Sequence, residues 1–322
     1  MNTSNSSASM YDRDYVVAVS QLTVSVGCIT VINSALVIVL ISMLSSGSKE
    51  MVFFRALCIS TLVLGVAYTA SGKHHFNILN VGDYEVTPLI CLIETTFICL
   101  YEVGETSGAL ILLLISLDRL IAMTSMSLYQ KFTLTVTAAV MQVTYACGLA
   151  GFLGVLAYTA LSERRFRKIS SLCFHADTVS ETYYNVHAYF LLTAHWLSLI
   201  LYIAALIVMH KHGNISSNSV RMHRLLREKK ITQRISMIIF SSVITQIVPM
   251  TALASSADKL YDDLGMYFWI IHPLTVPIEI ILCCIMRSDA RKLLKSRWNY
   301  LRGRVQTITM NERSQKERTI TS

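Results

Sequence analysis

The stretch that decides the fold of this chain is Ile111-Leu112-Leu113-Leu114-Ile115-Ser116-Leu117-Asp118-Arg119-Leu120. Seven uncharged residues lead directly into a carboxylate and a guanidinium. Ionisable side chains are costly in or beside hydrocarbon, and those that occur there usually have a function. The stretch therefore predicts a membrane-spanning helix with a functional acid–base pair at its foot.

The composition of the whole chain supports a membrane protein. Of its 322 residues, 53% are hydrophobic and only 15% are charged, with a mean hydropathy of +0.50. Soluble domains carry about 25% charged residues. Because a soluble protein this apolar would have nowhere to bury its surplus, we expect an integral membrane protein with the lipid bilayer as a partner.

Seven apolar segments are each long enough to cross about 30 Å of hydrocarbon as a helix. They lie at 17–44, 52–72, 87–117, 133–160, 184–210, 232–256 and 266–286. The predicted fold is an all-α seven-transmembrane helix bundle over residues 17–286, preceded by an extracellular N-terminal segment, 1–16.

Two further segments are predicted after the bundle. Basic and apolar residues recur at helical spacing over 287–298, which favours a short amphipathic eighth helix on the membrane surface. Residues 299–322 are polar and rich in Ser and Thr, and we expect them to form a disordered cytoplasmic tail.

The distribution of the basic residues predicts the orientation of the chain. Its net charge is +8, and 21 of its 28 Lys and Arg residues fall in segments that would be cytoplasmic if the N-terminus were outside. Membrane topology explains this charge, so we expect no nucleic-acid partner. An outside N-terminus would also make Asn2 and Asn5, each in a glycosylation sequon, available to glycosylation.

Seven spans with Asp118-Arg119 at the foot of the third resemble the rhodopsin-like G-protein-coupled receptors. Tyr129 follows the pair at the spacing of the tyrosine in that family's second inner loop. Other positions that match the family are Asn33 in the first span, Tyr202 in the fifth, Pro249 in the sixth and Pro277 in the seventh.

Several family motifs are altered in this chain. Leu120 stands where the Asp-Arg-Tyr motif has its tyrosine, the sixth-span motif reads 246–249 Gln-Ile-Val-Pro, and the seventh reads 276–280 Val-Pro-Ile-Glu-Ile. With these departures from the family motifs, the chain is most similar to the nematode serpentine chemoreceptors of the Srbc or Srsx class.

The resemblance implies roles for individual residues. Those expected to act in G-protein coupling and activation are Asp118, Arg119, Tyr129, Tyr202, Pro249 and Pro277. In this scheme Asp118 holds Arg119 at rest, and Pro249 makes the sixth helix a hinge because proline lacks an N–H. The resemblance also implies a Cys91–Cys173 disulfide, although Cys91 lies 28 residues before Arg119, about one helical turn more than the family spacing.

Glu102 and Glu105 predict where a ligand would bind. They share one face of the third helix and lie roughly 20–25 Å from Arg119 along it, in the half where the family builds its pocket. An amine could pair with one of them. The expected ligand-binding set is Tyr101, Glu102, Glu105, His187, Trp269 and His272. The alternative is a polar contact between helices, with Thr106 or His187.

The sequence therefore predicts a chemosensory receptor in the plasma membrane of a sensory neuron. Its expected partners are a small-molecule ligand of the odorant or pheromone type and a heterotrimeric G protein. No HExxH or CxxC pattern occurs and no convergent nucleophile is evident, so we expect neither an enzyme nor a cofactor or metal. The alternative is a transporter or channel, which intramembrane glutamates would also fit.

Overall fold

The computed structural model describes residues 13–43, 48–212, 219–248, 251 and 273–282. Within those ranges the chain is almost entirely helical. The helices are α1 (Arg13–Met43), α2 (Lys49–Val81), α3 (Pro88–Glu94), α4 (Thr96–Thr124), α5 (Met126–Lys131), α6 (Leu134–Leu161), α7 (His175–Thr178), α8 (Glu181–His212), α9 (Ser219–Ser242) and α10 (Pro273–Leu282). A π-helical segment, Val243–Ile247, continues α9.

Five of these helices are long and apolar enough to cross a membrane, namely α1, α2, α4, α6 and α8. They contain 28 to 33 residues, which at 1.5 Å per residue gives lengths of about 42–50 Å. Many of their large apolar side chains, such as Ile32, Leu36 and Val143, point away from the protein. These helices confirm the prediction of an all-α bundle for five apolar segments and suit a multi-pass membrane protein.

The predicted third span, 87–117, is wrong as a single helix. The chain forms α3, leaves helical geometry at Thr95 (φ −100°, ψ 97°), and restarts as α4. The Thr95 hydroxyl donates to the carbonyl oxygen of Cys91, so the break has its own hydrogen bond. Cys91 therefore belongs to a short helix separate from the helix that carries Arg119.

Two other helix ends differ from the predicted bounds. Helix α2 continues to Val81 instead of ending near residue 72, because its polar last turns bury His75 and Ile78. Helix α4 continues to Thr124, so Asp118 and Arg119 lie inside the helix rather than at its end. Ser125 then accepts a hydrogen bond from the backbone N–H of Leu128 and starts α5.

Helix α4 lies at the centre of the bundle and packs against α2, α6, α8 and α9. Helix α6 approaches it at Gly148, where a Cβ would come within 2.9 Å of the Val103 Cα. Helix α1 packs on α2 in the same way at Gly27, where a Cβ would lie 2.6 Å from the Thr69 hydroxyl. Small residues let helices approach closely in membranes.

One end of the bundle is closed by a covalent bond and a small sheet, and we call it the disulfide end. Cys91 and Cys173 form a disulfide there. Strand β1 (Glu85–Val86) pairs antiparallel with β2 (Ile169–Ser170), with Glu85 opposite Ser170. The opposite end, where α4 carries Arg119, we call the arginine end. The chain divides into two units, Met1–Ile280 and Ile281–Ser322, and the contacts described here lie in the first.

Candidate functional site

Helix α4 carries ionisable residues at two levels. Glu102 and Glu105 lie toward the disulfide end, and Asp118 and Arg119 lie 13 or more residues further along. The 17 residues from Glu102 to Arg119 correspond to about 25 Å of helix. Each level is the centre of a polar cluster that joins α4 to other elements.

The first cluster is built around the carboxylate of Glu102, whose side chain is only 1% exposed. Its Oε1 lies 3.0 Å from His175 Nε2, and its Oε2 accepts a hydrogen bond of 2.8 Å from the Tyr183 hydroxyl. We define the Glu102 cluster as Glu102, Glu105, His175, Tyr183 and His187. A buried carboxylate is tolerated when donors surround it in this way.

His187 lies between the two carboxylates of α4. Its Nδ1 is 3.3 Å from Glu102 Oε2, and its Nε2 is 3.5 Å from Glu105 Oε2. The His187 side chain is 8% exposed and the Glu105 side chain 12%. The Tyr183 ring stacks on the imidazole with a centroid distance of 5.9 Å. Both ring nitrogens of one histidine thus face an acidic group.

Three elements position these side chains. Helix α6 abuts the α4 backbone at Val103 through Gly148. The disulfide places Cys173 against α3, and His175, two residues later, is thereby held near the start of α4. Helix α8 supplies Tyr183 and His187, which are four residues apart and therefore share one face.

The second cluster is built around Arg119, which is 2% exposed. Its Nε donates to Asp118 Oδ2 at 3.1 Å, and Nη2 also contacts that oxygen. Its Nη1 donates to Glu228 Oε2 of α9 at 2.9 Å, and Nη2 donates to the Tyr129 hydroxyl of α5 at 3.2 Å. The guanidinium therefore connects α4 to both α5 and α9.

Tyr129 is held from its other side by the first residue of α2. Lys49 Nζ lies 3.9 Å from the centroid of the Tyr129 ring and donates to the Tyr129 carbonyl oxygen at 3.0 Å. Burial, partly opposed by the nearby Arg119 charge, raises the pKa of Tyr129 to about 12. The phenol is therefore neutral at physiological pH and can accept the hydrogen bond from Arg119.

Two more contacts join α9 to the bundle at the arginine end. Arg234 Nη1 lies 3.5 Å from Glu50 Oε1 in the first turn of α2. The Tyr202 hydroxyl of α8 donates to the carbonyl oxygen of Thr232. We define the Arg119 cluster as Lys49, Glu50, Asp118, Arg119, Tyr129, Glu228 and Arg234.

The structure brings together part of the predicted ligand-binding set. Glu102, Glu105 and His187 are in contact. Tyr101 packs its ring on Tyr68 of α2, with centroids 5.1 Å apart, and also lies beside the ring of His175, with centroids 6.5 Å apart. It therefore borders the Glu102 cluster. The remaining two predicted residues, Trp269 and His272, lie outside the described residues.

The predicted activation residues are also only partly assembled. Asp118, Arg119 and Tyr129 form one network. Tyr202 contacts α9 at Thr232, about one helical turn beyond Glu228. Pro277 is buried within α10. Pro249 and the predicted glycosylation residues Asn2 and Asn5 lie outside the described residues, as does the predicted helix over 287–298.

Several members of both clusters are absent from the residues predicted from the sequence. His175 and Tyr183 carry no local signal, because only the disulfide and the helix packing bring them to Glu102. Glu228 does carry one, since it is the single acidic residue in the basic stretch 221–234. Glu50 pairs with Arg234 of that same stretch.

The chain was compared with protein-family models and with curated proteins, and neither comparison gives a match. Within the described residues, no group of three or more His, Cys, Asp or Glu side chains could hold a metal ion. The chemistry of the two clusters is therefore the basis for a functional assignment. The Glu102 cluster can bind a proton or a cationic group, and the Arg119 cluster can hold two helices together until its ion pairs break.

Proposed function

We propose that the chain is a G-protein-coupled chemosensory receptor with seven membrane spans. In this assignment α1, α2, α4, α6 and α8 are the first five spans, α9 with its π-helical continuation begins the sixth, and α10 belongs to the seventh. The N-terminus is extracellular, residues 287–298 lie on the inner membrane surface, and the disulfide end faces outward.

The observation that carries the proposal is the ion pair between Arg119 of α4 and Glu228 of α9, at 2.9 Å. Both side chains are at most 10% exposed, and removing one partner of such a pair is strongly destabilising. The pair therefore restrains α9 at the arginine end. A movement of α9 away from α4 would break it and free Arg119 to bind a heterotrimeric G protein.

The π-helical segment Val243–Ile247 supports such a movement. It interrupts α-helical hydrogen bonding at the far end of α9 from Glu228, and Pro249, which follows in the sequence, lacks a backbone N–H. π-bulges and prolines are frequent sites of helix bending. A bend here would swing the residues around Glu228 relative to Arg119.

A small molecule of the odorant or pheromone type would bind at the disulfide end, near the Glu102 cluster. It shifts the receptor only if it binds the open arrangement of the helices more tightly than the closed one. Glu105 is the more exposed of the two carboxylates, so it is the better candidate to contact a ligand directly. The receptor would act at the plasma membrane of a sensory neuron.

The test is a cell assay of G-protein activation with a library of volatile and pheromone-like molecules. Wild-type receptor should respond, and Arg119→Ala should abolish the response while surface expression is retained. Arg55→Ala removes an exposed arginine from the same end of the bundle and should respond as wild type does.

One competing function has a specific observation in its favour. The buried carboxylates Glu102 and Glu279 would also suit a transporter or channel, in which such groups mark a solute path. Ligand-driven ion or solute flux in cells that lack G proteins would favour that function and would contradict the receptor assignment.

A further inference from the structure

We infer that the site formed by Glu102, His187 and Glu105 binds a proton, and that this proton fastens the second outer loop to the bundle. The proton is thus a ligand or co-ligand at the extracellular end. Its role in signalling rests on the proposed receptor function, whereas its binding does not.

Each ring nitrogen of His187 lies near an acidic side chain. A neutral imidazole carries one N–H and one lone pair, and only the protonated ring can donate from both nitrogens. Here Nδ1 lies 3.3 Å from one carboxylate oxygen and Nε2 lies 3.5 Å from another. His187 Nε2 is buried and makes no hydrogen bond within the described residues. A lone pair facing a charged carboxylate at that distance is repulsive, whereas one added proton on the imidazole or on Glu105 makes both contacts attractive.

The proton reduces the repulsion between two buried carboxylates. Without it, Glu102 and Glu105 would be two charges next to one neutral imidazole, in a site where both side chains are at most 12% exposed. Buried like charges are strongly unfavourable. Because α4 carries both carboxylates, one of them would have to turn toward water, or α8 would have to move away and admit water, and either change alters the contacts of Glu102.

The contacts of Glu102 lead directly to the loop. His175 belongs to α7, in the segment between α6 and α8, and its Nε2 lies 3.0 Å from Glu102 Oε1. The same segment carries the disulfide at Cys173. A proton on His187 neutralises charge at Glu102 and leaves that carboxylate in place to hold His175.

Other titratable groups surround the site. They are Tyr68, His74 and His75 of α2, Cys99 and Tyr101 of α4, His175 of α7, and Tyr183 and Tyr184 of α8. His74 Nε2 faces only the carbonyl oxygen of Ser171, at 2.9 Å, and His175 Nε2 faces one carboxylate. A neutral tautomer satisfies each of these contacts. Within the described residues, only His187 has an acidic group at both nitrogens.

The test is hydrogen–deuterium exchange of the full-length chain in lipid nanodiscs, read over residues 169–180 at about pH 6 and about pH 8, on either side of the usual histidine transition. After correction for the intrinsic pH dependence of exchange, the protection of this segment should fall about tenfold as the pH rises, the effect expected for one ion pair. In His187→Gln the change should be less than about twofold.

His195→Gln is the matched control. His195 is a buried histidine on the same helix whose Nδ1 faces the carbonyl oxygen of Leu191, so its variant should keep the wild-type pH dependence. Glu105→Gln leaves one carboxylate on His187, and its change should be intermediate, about threefold. This second variant preserves the test if His187→Gln does not fold.

Full pH dependence in both His187→Gln and Glu105→Gln, or none in the wild-type chain, would overturn the inference. No G protein is present in this measurement. Failure of the receptor assignment would therefore leave the exchange result unchanged, and failure of the proton site would leave activation by other ligands unchanged.

Discussion

Both clusters place a buried basic side chain between two carboxylates, but the basic group at the arginine end is a guanidinium and the one at the disulfide end is an imidazole. Arg119 lies between Asp118 and Glu228, and His187 lies between Glu102 and Glu105. A guanidinium keeps its charge at any physiological pH, whereas an imidazole gains or loses its charge near neutrality.

This difference assigns different inputs to the two ends. Near neutral pH the Arg119 cluster can be opened by moving a helix, because a change of pH in that range does not remove the guanidinium charge. The Glu102 cluster can be opened by removing a proton. The end proposed to face the outside is thus chemically responsive, and the end proposed to face the G protein is mechanically responsive. Four measurements test this difference between the two ends.

The largest effect should come from the covalent link at the disulfide end. The double variant Cys91→Ser/Cys173→Ser removes a bridge that closes a sequence separation of 82 residues, and loss of such a link costs about 4 kcal/mol. We expect a clear drop in the melting temperature of the purified chain. Cys147→Ser changes an exposed free cysteine and should melt as wild type does; equal melting of both variants would contradict the prediction.

The next largest effect should come from Glu228→Gln at the arginine end. This change leaves the buried Arg119 charge with one carboxylate instead of two, at a cost of about 3 kcal/mol. Thermal unfolding in nanodiscs would measure it. Glu163→Gln, which changes an acidic residue of the connection after α6, is the control. A wild-type melting temperature for Glu228→Gln would show that the pair adds no stability.

The same substitution at the two ends should differ in its pH dependence. Glu102→Gln should cost about 2 kcal/mol near pH 6, where the inferred proton is bound to the site, because hydrogen bonds to charged groups contribute about that much. A protonated histidine that gains a carboxylate partner stabilises the fold at low pH, and this stability is lost as the pH rises. The deficit of Glu102→Gln should therefore shrink by pH 8.

Over the same range the deficit of Glu228→Gln should stay constant, since its partner is a guanidinium. Melting curves of both variants at each pH would make the comparison. A constant deficit for Glu102→Gln, or a changing one for Glu228→Gln, would remove the contrast between the two ends.

The smallest effect should come from the Glu50–Arg234 pair. Its N–O distance of 3.5 Å is longer than that of the Arg119–Glu228 pair, and Arg234 is partly exposed. A double-mutant cycle with Glu50→Gln and Arg234→Gln should give a coupling energy of about 1 kcal/mol or less. A coupling as large as that between Arg119 and Glu228 would make this pair an equal restraint on α9.

Much of the fold could be predicted because apolar length alone identifies a membrane helix. The predicted segments 17–44, 133–160 and 184–210 each lie within or close to one observed helix, α1, α6 and α8. The break at Thr95 could not be predicted, since the apolar pattern runs through it. It depends on the hydrogen bond from Thr95 to Cys91 and on the disulfide, both of which form only in the folded chain.

The members of the two clusters could be predicted together only where they lie on the same helix. Helical periodicity places Glu102 and Glu105 on one face of α4, and it did so correctly. The partner His175 could not be found this way, because it comes from a loop 73 residues away in sequence. Glu228 lies 109 residues from Arg119, yet its position as a lone acid among basic residues was a usable signal.

The most direct test of the receptor assignment needs no ligand. Membranes that contain wild-type chain, Glu228→Gln or Glu228→Gln/Arg119→Ala would be mixed with a panel of heterotrimeric G proteins, and GDP–GTP exchange would be measured. Weakening the ion pair by about 1.4 kcal/mol or more should raise ligand-free exchange at least tenfold for one G protein, and the added Arg119→Ala should abolish that increase. Exchange at the wild-type level in all three samples, despite equal amounts of folded chain, would contradict the assignment.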